Sequence, residues 1–165
     1  MKGIVTIALL LLLMPVSAER RAEVVAIGQA IEDQDQYDHS SLAALAVKES
    51  RARLDVVGKR GECGAFQVMG WFLKPAMSCE QLQSPEGSVT GAVRALAQWQ
   101  AWHEEHGSAL PLYAARANFW HCYASGQHCY APDAVRRQQR IRAELLELGG
   151  LFDIETGGEL LTLRD

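Results

Sequence analysis

Apolar residues recur at helical spacing in five stretches of this chain, separated by polar or glycine-dotted segments that mark where helices stop. Glu19 to Glu32 places Val24, Ile27 and Ile31 on one face, with Gly28 inside the stretch at a cost of about 1 kcal/mol against Ala. An acidic connection, Asp33 to Asp38, leads to a second helix in which Leu42, Leu45, Ala46 and Glu49 share a face and Ser40 or Ser41 supplies the cap. Arg51 to Glu62 carries charges and two glycines and reads as a surface loop, after which Gly64 to Leu73 is apolar again, with Trp71 and Phe72 expected in the core or as a cleft wall. Ser88 to Glu105 predicts a third helix through Val89, Val93, Leu96, Trp99 and His103, ended by Gly107, with His103 and His106 near its negative end. Leu110 to Trp120, carrying Tyr113, and Pro132 to Leu148, with Val135, Gln138, Ile141 and Leu145, complete the set; Gly149-Gly150 stops the last one before the tail Leu151 to Asp165. The pattern predicts a mainly α fold.

Residues 1–18 stand apart. One lysine, an apolar run from Ile4 to Pro15 and the small residues Val16-Ser17-Ala18 have the form of a secretory signal peptide, with an uncleaved anchor as the alternative. The run is short for a bilayer span. The mature chain, about 147 residues from Glu19, suits one domain over 19–148 and a tail over 149–165.

Export changes the meaning of the four cysteines, Cys63, Cys79, Cys122 and Cys129, which read as two disulfides. Three pairings are open; Cys63–Cys79 with Cys122–Cys129 closes two short local loops. His121-Cys122 and His128-Cys129 match no familiar zinc spacing, so no metal is expected. With a net charge of −4, no basic block and no phosphate-cradling glycine loop, nucleic acid and nucleotides are poor partners.

The chemistry concentrates at Glu49. A carboxyl group that extends an apolar stripe near a helix C-terminus is desolvated and faces the negative end of the dipole, so its proton is held more tightly. A general acid at neutral pH needs that property. Asp55 and Glu62, the nearest candidates for a second carboxylate, lie among loop charges and read as solvated.

Glu49-Ser50, then Gly61, then Gly64-Ala65-Phe66-Gln67-Val68-Met69, with Gln67 eighteen residues after Glu49, resemble the Glu-Ser … Gly-Leu-Met-Gln signature of the soluble-type lytic transglycosylases. Leu112-Tyr113-Ala114 is similar to that family's Ala-Tyr-Asn segment, and the resemblance runs from about Val24 to Leu148. It implies a lysozyme-like domain with a small irregular β-like lobe after the Glu49 helix. It also implies non-hydrolytic cleavage of the MurNAc-β-1,4-GlcNAc bond of peptidoglycan to a 1,6-anhydro product, Glu49 being acid and then base. On the same footing Ser50, Gln67, Met69, Tyr113 and Tyr130 contact substrate or the acid, Tyr113 bringing a phenol near Glu49. No cofactor is implied; the partner is the glycan strand, met as a monomer in the periplasm or outside the cell, without a membrane anchor once the signal is removed.

The chain departs from the signature at Gly58, where the family has Ser, at Ala65-Phe66 in place of Leu-Met, and at Ala114 and Arg116 after the tyrosine, with Asn118 out of register. These departures suggest a divergent branch serving phage lysis or a secretion apparatus. A hydrolytic muramidase of the same fold and an inactive glycan-binding or assembly module are the alternative functions.

Overall fold

The computed structural model describes residues 16–106 and Tyr123. Helix α1 (Ala18–Glu32) and helix α2 (His39–Ser50) precede a two-stranded antiparallel hairpin of β1 (Glu62–Cys63) and β2 (Val68–Met69); a 3-10 turn (Gly70–Phe72), a short helix α3 (Cys79–Leu82) and the long helix α4 (Pro85–His106) follow. The protein is thus mostly helical, 62% of these residues, with one small sheet. The signal segment up to residue 15, Tyr113, Tyr130, Cys122, Cys129 and the last two expected helices lie outside the described residues.

The apolar faces read from the sequence are the buried ones. Val24, Ile27 and Ile31 of α1, Leu42 and Ala46 of α2, and Leu96 of α4 are fully enclosed around Phe66, the largest fully buried side chain. Phe66 comes from the connection between the two strands, so the hairpin is nailed into the helical core rather than laid over it. Glu62 pairs with Met69 and Cys63 with Val68. The Cys63–Cys79 disulfide then ties β1 to the start of α3, as one of the expected pairings had it.

Three local readings are corrected. The cap of α2 is Asp38, not Ser40 or Ser41: its carboxylate accepts from the Ser41 N–H at 2.7 Å, and both serines fall inside the first turn. Gln34 sets this up by folding the connection, accepting from the N–H groups of Gln36 and Tyr37 and donating to the Tyr37 carbonyl. Trp71 is 72% exposed, which rules out the core alternative of its reading. Only one of two adjacent aromatics in a tight turn can face inward, and Phe72 takes that side, stacking on Trp99 at 5.1 Å. Helix α3, on which the sequence pattern is silent, is opened by a reciprocal Ser78–Gln81 capping box. Helix α4 starts at Pro85, ahead of the expected Ser88, because a proline's fixed φ suits a first helical position. No helix among the described residues is long and apolar enough to cross a membrane.

Candidate active site

Glu49 occupies the last turn of α2, on the face whose earlier members Leu42, Leu45 and Ala46 are buried. It is itself half-buried. The helix then ends abruptly. Arg51 and Ala52 both adopt left-handed backbone, φ 58° and 50°, and their carbonyls are held by the Arg20 guanidinium of α1 at 3.2 and 2.9 Å. Glu23 of α1 accepts from the Leu54 N–H at 2.6 Å, so the first helix fixes the chain immediately after Glu49.

The Gly64–Gln67 segment is fastened from three directions. The Ser50 hydroxyl donates to the Ala65 carbonyl at 2.7 Å, the Ala65 N–H donates to the buried Ser88 hydroxyl of α4 at 3.0 Å, and the Tyr123 phenol donates to the Phe66 carbonyl at 2.8 Å. Gly64 is required twice over. Its φ is +75°, and a Cβ there would stand 2.0 Å from the Leu82 carbonyl oxygen. Gln67 follows with φ 50°, a costly conformation for a residue with a side chain and one that clusters at functional sites. Its amide nitrogen donates to the carbonyls of Gly64 and Val56 at 2.9 and 3.2 Å. Its Oε1 faces the space above Gly58, 3.0 Å from where a Cβ would be.

Ser50 takes a different part from the expected substrate contact. Its hydroxyl donates to Ala65 and accepts from the Arg53 N–H at 2.9 Å, so it fastens the loop beside Glu49 instead of presenting a donor to a ligand. Met69 is half-buried in β2. Tyr113 and Tyr130 fall outside the described residues; the tyrosine beside the acid here is Tyr123, which the periodicity did not single out. The sequence marks it only as a phenol next to Cys122.

Burial pushes the Glu49 carboxyl up to about 6; Lys48 next to it pulls the other way, and the negative charge of Glu62 pushes it up again. The same geometry is felt at Tyr123, whose phenol burial and the Glu49 charge raise well above its ordinary value, so it remains a neutral donor. Among the described residues, three arginines of the neighbouring elements are engaged elsewhere. Arg53 holds Asp55 at 2.8 Å, Arg60 holds Glu62 at 2.8 Å, and Arg20 holds Glu23 and the Arg51 and Ala52 carbonyls. Of the two other carboxylates, Asp55 is solvated as expected, with 68% of its side chain exposed. Glu62 is not: 14% of its side chain is exposed, and it faces inward. A protonatable acid, a neutral phenol and an amide oxygen are therefore gathered around one loop. This arrangement can deliver a proton and take it back. No family model, curated protein or solved structure matches the chain.

Proposed function

We propose that this chain is an exported lytic transglycosylase of lysozyme-like fold that cleaves peptidoglycan glycan strands. The observation that carries the reading is Glu49: a half-buried carboxyl with no arginine partner among the described residues, its pKa about 6, next to the loop that presents Gln67. In the proposed cycle the protonated Glu49 donates to the glycosidic oxygen as the bond to C1 breaks. The N-acetyl oxygen of the muramic acid stabilises the positive charge at C1. The Glu49 carboxylate then takes the proton of the C6 hydroxyl as O6 bonds to C1, closing the anhydro ring and restoring the acid. No water is consumed.

Tyr123 supports the reading in the part expected of Tyr113. It anchors the Phe66 carbonyl and lies where the Glu49 charge reaches its phenol.

One observation favours the hydrolytic alternative. Glu62 supplies a second carboxylate near the acid, and hydrolytic glycosidases generally use two. Mass spectrometry of digested wall separates the readings. An anhydro-muramic product is expected; a reducing end, heavier by one water, would mean hydrolysis. Glu49→Gln is expected to abolish product of either kind, with a loss of at least about a thousandfold, and near-normal release would overturn both readings.

A further inference from the structure

Gly58 has no backbone need to be glycine, since the positive-φ glycines among the described residues are Gly61 and Gly64. What a side chain at 58 would meet is a carboxylate. A Cβ there would stand 2.4 Å from Oε2 of Glu62 and 3.0 Å from Oε1 of Gln67. The missing Cβ therefore makes room for Glu62, in the same space that Gln67 faces.

Glu62 is firmly seated there. The Arg60 N–H donates to its Oε2 at 2.9 Å and the Arg60 Nε to its Oε1 at 2.8 Å. Its own carbonyl accepts from the Gly58 N–H at 2.7 Å, and the next residue, Cys63, is locked to Cys79. The guanidinium points out, 74% exposed, while the carboxylate points in. Burial alone would push the Glu62 carboxyl up. The N–H groups of Glu62 and Arg60 and the Arg60 side chain outweigh it, so the group stays ionised. Among the described residues, the charged groups acting on Glu49 are Lys48 on its own helix and Glu62 from the hairpin, and Glu49 in turn acts on the Tyr123 phenol; Glu62 has Arg60 beside it.

We infer that Glu62 is a positioning residue for the acid: a carboxylate fixed by Arg60 in the space over Gly58, against Gln67, as a standing negative charge on the site that holds Glu49. The inference rests on Glu49 being that acid. Its consequence for Glu49 is nevertheless readable without turnover, by 13C NMR titration of the glutamate carboxyls in the full mature protein.

In Glu62→Gln the Glu49 midpoint should fall by roughly half a pH unit, because like charge no longer opposes ionisation. In Arg60→Gln it should rise, because Glu62 keeps its charge and loses its counter-ion. Gly58→Ala, which forces the carboxylate out, should follow Glu62→Gln. Wall lysis should move in step. Its alkaline limb tracks the protonated Glu49, so a half-unit drop lowers activity at pH 7 about threefold. An unchanged midpoint in Glu62→Gln would overturn the inference. So would shifts of the same sign in Glu62→Gln and Arg60→Gln, since loosening of the hairpin has no reason to reverse sign. Arg60 is exposed, so its variant folds even if the others do not. A wild type that titrates as stated and releases no muropeptide would sink the proposed function and leave the coupling standing. Normal lysis with unshifted midpoints would do the reverse.

Discussion

Glu49 holds its proton more tightly than an ordinary glutamate chiefly because burial strips water from its charged form, an effect that the neighbouring Lys48 only partly offsets. That has a thermodynamic signature separate from catalysis. Its folded-state pKa of about 6 lies above the ordinary glutamate value of 4.5, so between those pH values the folded protein binds more protons than the unfolded one. Stability is therefore lost as pH rises through that window, and the loss is complete above it. A shift of this size corresponds to about 2 kcal/mol. Glu49→Gln, which cannot ionise, should be more stable than wild type at pH 7 by up to that amount. The gain should vanish below pH 4.5. Urea unfolding at pH 4 and pH 7 measures it; a variant equally or less stable at pH 7 would mean that the carboxyl is better solvated than its surroundings imply. A residue that improves stability when removed is held for what it does.

The Gly64–Gln67 loop is the element on which the site depends, because it is attached at once to α2 through Ser50, to α4 through Ser88 and to Tyr123. Its geometry follows from sterics at one position. Gly64→Ala would place a methyl group 2.0 Å from the Leu82 carbonyl oxygen in a left-handed backbone. Two penalties then combine, a backbone clash and a positive φ for a residue with a Cβ, and the expected loss is about 3 kcal/mol or more. Denaturant unfolding reads the loss, and muropeptide release should fall with it even where the chain stays folded, since Gln67 moves with the loop. The departure Ala65-Phe66 finds its explanation at this scale too. Ala65 is fully enclosed where the segment is pinched between Ser50 and Ser88, and Phe66 fills the core. The pair exchanges side-chain volume between adjacent positions without giving up burial.

Across the whole molecule, the hairpin is held to the helices by Phe66 and by the Cys63–Cys79 bridge, which spans sixteen residues. Closing a loop of that length stabilises by about 3 kcal/mol in the chain-entropy account. The Cys63→Ala, Cys79→Ala double variant should lose about that much in denaturant unfolding. It should also lose activity beyond what stability explains, because Glu62 sits next to Cys63. A double variant with wild-type stability and activity would mean that packing alone holds β1 in place. If an oxidising compartment is the working environment, reduction of the wild type should produce the same change.

Much of this was legible in the chain. Helical period alone determined the three described long helices and their inner faces, because burying Val24, Ile27, Ile31, Leu42 and Leu96 on one side admits no other register. It also placed Glu49 on an apolar face, and that placement by itself foretold a tightly held proton. Four cysteines left three connectivities open and short local loops pointed to Cys63–Cys79; the fold forms that bond. Other features were decided only in three dimensions, because each depends on residues far apart in sequence competing for one space. Glu62 reads as a solvated loop charge until the missing Cβ of Gly58 is seen to make room for it. Ser50 reads as a substrate contact until the Ala65 carbonyl claims its proton. Tyr123 has no periodic signature at all, since a single phenol reaching across fifty-seven residues to the Phe66 carbonyl is a fact of chain closure and not of local pattern.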